Sequence, residues 1–114
     1  MDECIFCKII KGEIPSSKVY EDDKVFAFKD INPAAPIHVL VIPKEHISSL
    51  NDVNEENSKL IAHVFVVISK LAKELGIDED GFRVVSNCGE AAGQTVQHVH
   101  FHLLAKKKFT WPPG

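Results

Sequence analysis

The sequence predicts an α+β fold: an antiparallel sheet of about five strands, one long helix and a short N-terminal helix. Two observations carry this. One long run, residues 51–77, repeats apolar residues at helical spacing, whereas the other apolar runs are short and rich in β-branched and aromatic residues. The links between those short runs are themselves mostly short, which favours an antiparallel sheet beside one helix.

In chain order, "CIFCKIIKGEIP" suits a short helix that ends near Gly12, ahead of Pro15. "KVYEDDKVFAFKDI" reads as a hairpin around the turn Glu21-Asp22-Asp23. "INPAAP" is a proline-bearing loop, and "IHVLVIP" is a continuous apolar run, the mark of a central strand buried on both faces. The long helix follows, with Asp52 or Asn54 as its expected cap and glutamates in its first turn. Leu60, Val64, Ile68, Leu71 and Leu75 form its apolar stripe, widened by Ile61, Phe65 and Ala72. Gly76 stops the helix. "FRVVSN" is a further strand, "CGEAAGQT" a glycine-bearing loop, and "HVHFHLLA" alternates as a strand does. The apolar tail "FTWPPG" is barred from regular strand by its prolines.

The chain has 114 residues, 45% hydrophobic and 25% charged, which fits a single domain over 1–114. Roughly two-thirds of the unfolded surface of such a chain can be buried, enough for one core. The net charge of −3 argues against binding a nucleic-acid backbone, which needs a basic stripe. The one basic run, Lys106-Lys107-Lys108, suits a solvated strand end. No segment reaches the ~20 apolar residues of a membrane span. Three cysteines, Cys4, Cys7 and Cys88, without a secretory leader do not make a disulfide framework, so the chain is expected to be cytoplasmic.

Three of the six histidines stand at alternate positions: His98, His100 and His102. On a strand they share one face, with Val99, Phe101 and Leu103 on the core side. Such a row suits metal binding, proton transfer or nucleophilic attack; a merely solvated sheet face is the bland alternative. The preceding loop places Gly89, Gly93, Gln94 and Thr95 next to them. Glycine lets backbone N–H groups approach an anion, and Gln94 and Thr95 add donors, so the loop is a candidate phosphate cradle. "CIFC" is a Cys-x-x-Cys pair whose spacing suits two thiolates on one metal, with two ordinary buried thiols or a redox pair as alternatives.

"GQTVQHVHFHLLA" resembles the signature of the histidine triad family, His-φ-His-φ-His-φ-φ with φ apolar. "IFCKIIKGEIPSSKVYEDDKVFAFKDINPAAPIHVLVIPKEH" and the terminal "WPPG" are similar to its nucleotide-binding branch, so the resemblance spans nearly the whole chain. It implies hydrolysis of purine nucleoside 5′-phosphoramidates, an adenylate joined to an amine. His100 would attack the α-phosphorus and be nucleotidylated, and water would then release the monophosphate. His102 and His38 would hold the phosphate and manage protons. Thr95 stands where the branch often has serine, whose hydroxyl serves the leaving amine; the extra methyl bears on leaving-group preference. Asp30 matches the carboxylate that accepts the ribose hydroxyls, although it also suits a turn before Asn32-Pro33. Ile5, Phe6, Ile9, Phe28 and Ile31 match an apolar slot for the base; without the resemblance they would be core. Asn87 matches an asparagine near the phosphate and leaving group, beside the cradle donors Gly93 and Gln94.

Some relatives of this kind pair the Cys-x-x-Cys with two histidines, which fall here on His46 and His98. With Cys4 and Cys7 these make a closed, structural Zn²⁺ site, compatible with the histidine row if His98 sits where the pleat is not yet regular. The resemblance also implies a two-fold homodimer with sheets joined edge to edge, the tail of one chain bordering the site of the other. Rival readings are a dinucleoside polyphosphate hydrolase and a nucleotide-binding regulator or scaffold with incidental catalysis. The uridylyltransferase branch usually has glutamine at the third triad position, where this chain has His102. Cys88 and His63 receive no role.

Overall fold

The computed structural model describes residues 3–114. The helices are α1, Ile5–Ile10, and α2, Ser58–Glu74; the strands are β1, Lys18–Glu21, β2, Val25–Lys29, β3, Ile37–Pro43, β4, Phe82–Val85, and β5, Phe101–Ala105. They form one five-stranded sheet in the order β1-β2-β3-β5-β4, antiparallel throughout. This is the fold class expected from the sequence.

Strand alternation sorts the side chains onto two faces. Val25 and Ala27 of β2, Val39 and Val41 of β3, and Phe101, Leu103 and Ala105 of β5 pack with Val64, Val67, Ile68, Leu71 and Ala72 of α2. The opposite face carries Phe26, Phe28, Leu40 and Ile42, covered by Phe6 and Ile9 of α1. β3 is therefore buried on both faces, as its unbroken apolar run requires. The same parity puts His38 beside Leu40 and Ile42, and His102 beside them across the ladder, where Leu40 pairs with His102 and His38 with Leu104.

The end of α2 follows the expectation for Gly76. The Gly76 N–H donates to Lys73 and the Ile77 N–H to Ala72, with Gly76 at φ 70°, so the last carbonyls are satisfied by a left-handed glycine. Its start does not. Asn54 Oδ1 accepts from the amides of Glu56 and Asn57, and Asn57 Oδ1 accepts from Asn54. These bonds close a separate turn, so the helix begins at Ser58, neither Asp52 nor Asn54 caps it, and Glu55 and Glu56 precede it. His63 has a place after all. Its Nε2 donates to Asp22 Oδ2 at 2.7 Å, and Tyr20 OH donates to the same oxygen at 2.8 Å, tying α2 to the β1–β2 turn.

β5 is shorter than "HVHFHLLA" suggests. It starts at Phe101, because upstream of it Val99 N–H donates to Ile47 and the histidine side chains take main-chain partners. The expected apolar stripe of α2 also leaves Phe65 at 48% and its neighbour Val66 at 62% exposed. No helix among the described residues is long and apolar enough to cross a membrane.

Candidate active site and metal centre

Two sites separate along the histidine segment. His98 is fully buried and turned away from the row, whereas His100 and His102 face a groove on the α1 side of the sheet. The single shared face expected from alternation therefore holds for His100 and His102 only. His98 departs from it because, ahead of β5, its ring turns to the Pro43 carbonyl and the two cysteines.

The groove encloses about 360 Å³ and is lined by Ile5, Phe6, Ile9, Phe28, Asp30, Ile31, Thr95, His100 and His102. Its apolar wall is the set foreseen for a base, although Ile31 overhangs the rim at 91% exposure. Ile14, Leu40 and Val96 also line it and escaped the sequence reading. Leu40 was findable, since it lies two residues from His38 on the same strand face.

Hydrogen bonds fix the imidazole tautomers. The Ala34 N–H lies 3.0 Å from His38 Nδ1 and can only donate, so that nitrogen carries a lone pair. His38 Nε2–H then donates to His102 Nδ1 at 2.9 Å, with Asp30 Oδ2 3.4 Å away, and the proton of neutral His102 is left on Nε2. The His98 carbonyl can only accept, so His100 donates Nδ1–H to it at 2.7 Å and keeps its lone pair on Nε2. The two rings are 5.1 Å apart between centroids, and the edge of Phe6 braces His100 at 5.2 Å. A lone-pair nitrogen thus stands beside an N–H donor, the pairing needed for attack on a centre that bears anionic oxygens.

Burial pushes His102 down to about 4, with His100 and His38 adding to the effect and Asp30 opposing it. Burial also lowers His38, against the pull of Asp30. Both rings are neutral near pH 7, as the tautomer chain requires. An unfolded histidine titrates near ~6.5, so on acidification the unfolded chain takes up this proton before the native one does. His102 therefore contributes stability that is full above that value and is lost as pH falls toward about 4. His102→Gln, which keeps an acceptor for His38, is expected to lose less stability than the parent between pH 7 and pH 4.5. Urea midpoints followed by circular dichroism would show it, and equal losses in both proteins would contradict it.

Asp30 divides its oxygens: Oδ1 accepts from the Asn32 amide at 2.8 Å and Oδ2 faces His38. It is a turn residue and a groove residue together. The glycine loop departs from the cradle reading. Gly89 N–H donates to Gln94 Oε1, Ala92 N–H to Gly89, Gly93 N–H to Glu90 and Gln94 N–H to Gly89. Gln94 Nε2 donates to the Ser48 and Val96 carbonyls. Gln94 is thus a buried brace whose side-chain donors are spent, and four amides of the loop turn inward. Asn87 is engaged likewise, Nδ2 donating to the Ala92 carbonyl, and Gly93 supplies the left-handed bend at φ 85°. Of this stretch only Thr95 and Val96 line the groove.

On the other side of His98, Cys4, Cys7, His46 and His98 bring their donor atoms within 4.8 Å of one another. His98 Nδ1 lies 3.4 Å from Cys4 Sγ and 3.6 Å from Cys7 Sγ, and His46 Nδ1 lies 3.4 Å from Cys7 Sγ. A tetrahedron built from ordinary Zn–S and Zn–N bonds has S···N edges of about 3.5 Å. His98 Nε2–H donates to the Pro43 carbonyl at 2.8 Å, which leaves Nδ1 unprotonated and aimed at the sulfurs. Burial pushes His98 down to about 4, with Pro43 opposing and His46 and His100 adding. The Cys7 thiol is pushed up by burial and by Cys4. Cys4 Sγ accepts from the Cys7 amide as the N-terminal cap of α1, so the short helix starts at a ligand. The donor set fits a closed zinc site. Pro43 and Ser48, whose hydroxyl lies 3.4 Å from His46 Nε2, complete its surroundings and carry no sequence signal of that role.

An antiparallel α+β domain with two histidines facing a groove and a third behind them is the architecture of the histidine triad family. The HIT domain family profile matches residues 11–109, and the chain belongs to that family. It is similar to a 14 kDa zinc-binding protein of Zea mays, 48% identical over 112 residues, 96% of this chain and 87% of that protein. Among solved structures, a HIT family hydrolase from Legionella pneumophila superposes with a TM-score of 0.96 at 49% identity, covering 98% of this chain and 100% of that one. A histidine triad nucleotide-binding protein from Candida albicans superposes with a TM-score of 0.85 at 43% identity, covering 96% and 83%.

Proposed function

We propose that the chain is a purine nucleoside phosphoramidase that works through a nucleotidyl-histidine intermediate. The observation that carries this reading is the fixed tautomer of His100, with Nδ1–H held by the His98 carbonyl and Nε2 free in the groove. The base lies against Phe6, Ile9 and Phe28, and Asp30 takes the ribose hydroxyls with the acceptor capacity left to it. His100 Nε2 attacks the α-phosphorus, the P–N bond breaks, and its electron pair leaves with the amine. The amine nitrogen takes the Thr95 hydroxyl proton, and the water that attacks in the second step gives a proton back to that hydroxyl. The His98 carbonyl stabilises the cationic imidazole formed on attack, while His102 Nε2–H steadies the phosphoryl oxygens. Water then attacks phosphorus, the Nε2–P bond breaks, and the monophosphate leaves. The nucleotide-binding relative supports the ligand class, and the Legionella hydrolase supports turnover.

Zinc, held by Cys4, Cys7, His46 and His98, supplies structure and no step of the chemistry; the zinc-binding relative supports it. The working unit is a homodimer. The exposed Phe65 and Val66, together with a half-exposed Phe82, give α2 and β4 an apolar surface suited to a second copy.

Turnover of an adenosine 5′-phosphoramidate beside a diadenosine polyphosphate tests the reading. Preference for the first is expected. Preference for the second would make the chain a dinucleoside polyphosphate hydrolase, and tight nucleotide binding without turnover of either would make it a regulator or scaffold.

The tail supplies a further test. Trp111 is 83% exposed, whereas the tail is anchored upstream: Arg83 lies 5.0 Å over the Phe109 ring and donates to the Thr110 carbonyl. Deleting Trp111 to Gly114 is expected to change the relative rates across several leaving amines while the melting temperature stays close to the parent's. Unchanged ratios would show that the tail does not border a site.

A further inference from the structure

His98 links the two sites by covalent geometry. Its ring points Nδ1 at Cys4 and Cys7 and donates Nε2–H to Pro43, while its main-chain carbonyl accepts from His100 Nδ1–H at 2.7 Å. The next residue is pinned too, the Val99 amide donating to Ile47, which follows the ligand His46. Phe6 makes a second link. It lies between the two cysteines in α1, and its ring meets His98 edge-on at 5.9 Å and His100 at 5.2 Å. A helix of six residues is too short to hold Phe6 by its own hydrogen bonds.

We propose that the Cys4–Cys7–His46–His98 centre, when it holds its metal, positions the nucleophile: it sets the His98 carbonyl that fixes the His100 tautomer and the Phe6 ring that fixes the His100 rotamer. The proposal rests on His100 being the nucleophile. Thiols alone are weak partners for imidazole nitrogen and leave the His98 ring held by its Pro43 bond and its packing only, whereas a metal bond at Nδ1, shared with Cys4, Cys7 and His46, ties it to α1 and to the end of β3 in one arrangement. Residues that orient a reactive group from behind commonly matter by ~10–100-fold when removed. His46 is the discriminating position, because its ring makes no contact with His100 or Phe6: its partners are Cys7 and His98 of the centre and the Ser48 hydroxyl.

The test compares His46→Ala with His46→Cys, which restores a fourth ligand, each purified with and without added Zn²⁺. Three quantities are read: bound zinc, kcat and KM on an adenosine 5′-phosphoramidate, and the His100 tautomer by long-range ¹H–¹⁵N NMR of histidine-labelled protein. His46→Ala should lose its zinc, drop in kcat by ~10-fold or more, and replace the single Nδ1–H pattern of His100 with a tautomer mixture. Zinc-loaded His46→Cys should recover both. If His46→Ala loses zinc and melts lower, and KM alone rises while kcat and the tautomer stay as in the parent, the centre is a staple and the proposal is wrong. Should His46→Ala not fold, parent protein stripped of metal and titrated with Zn²⁺ answers instead: kcat and the tautomer signal must rise with occupancy, and a flat response overturns the proposal. If no form turns over phosphoramidate, the functional reading fails, and the tautomer signal still decides whether metal orders His100.

Discussion

His100→Ala is expected to remove nearly all phosphoramidate turnover while leaving nucleotide binding close to the parent's. The groove retains Phe6, Ile9 and Phe28 for the base and Asp30 for the ribose; Phe6 touches the His100 ring but is also packed on Phe28 at 5.4 Å. What goes is the lone pair on Nε2, and with it the covalent route. Loss of such a nucleophile typically costs ~10³ or more in rate. His102 does not replace it, because its Nδ1 is committed to His38 and its Nε2 bears the proton. Mass spectrometry of a quenched reaction should find the adenylate on His100 in the parent and on no residue in the variant. A variant that still turns over at a tenth of the parental rate would remove His100 from the mechanism.

The legible parts of this protein are those where one side chain or one period carries the signal. "IHVLVIP" announces a doubly buried strand because every residue in it is apolar or tucked against a partner. Given that strand, parity alone places His38 with Leu40 and Ile42 on the face away from α2. The stop of α2 is written in Gly76, since a left-handed backbone favours glycine. The start was misread because Asn54 and Asn57 are as good at building a turn as at capping a helix, and their side chains chose each other's backbone. Phe65 and Val66 look like core by composition; only the third dimension leaves them at the surface.

The site shows the same division. His100, His102 and Asp30 line one groove with His38 hydrogen-bonded behind His102, and Cys4, Cys7, His46 and His98 bring their donor atoms together at another point. The groups that decide the chemistry of those histidines are main-chain atoms: the Ala34 amide, the His98 carbonyl and the Pro43 carbonyl. No residue pattern encodes them, because any residue at 98 or 43, and any residue except proline at 34, offers the same atom. The glycine loop departs from its reading as a cradle at Gln94 and four amides, for the converse reason. Glycines and Gln94 suggest donors aimed outward, but the sequence cannot show that the Gly89, Ala92, Gly93 and Gln94 amides find acceptors inside the loop.

Replacing both Cys4 and Cys7 by serine is expected to abolish zinc binding and to loosen one wall of the groove. Serine matches cysteine in size but offers a hydroxyl that is a poor ligand for zinc, so two of four positions are lost together. The main core would survive, since α2 and its face of the sheet make no use of α1. The smaller cluster would not survive unchanged. Phe6 and Ile9 cover Phe26, Phe28, Leu40 and Ile42, and the helix carrying them is capped by one ligand and has another within it. Metal binding is in this way coupled to the folding of α1 more than to that of the whole chain. A loss of one or two kcal/mol in a domain of this size corresponds to a melting temperature lower by roughly 4–10 °C. Hydrogen exchange should localise the change: the Lys8 and Lys11 amides, which donate to Cys4 and Cys7 carbonyls, should lose protection while those of α2 keep theirs. Nucleoside monophosphate binding should weaken in step, because Ile5, Phe6 and Ile9 are the wall that moves. Metal analysis of parent protein purified without chelator should give close to one zinc per chain, against almost none in the double variant. Parent protein that is metal-free, fully stable and unchanged by added zinc would reduce Cys4 and Cys7 to two ordinary buried thiols.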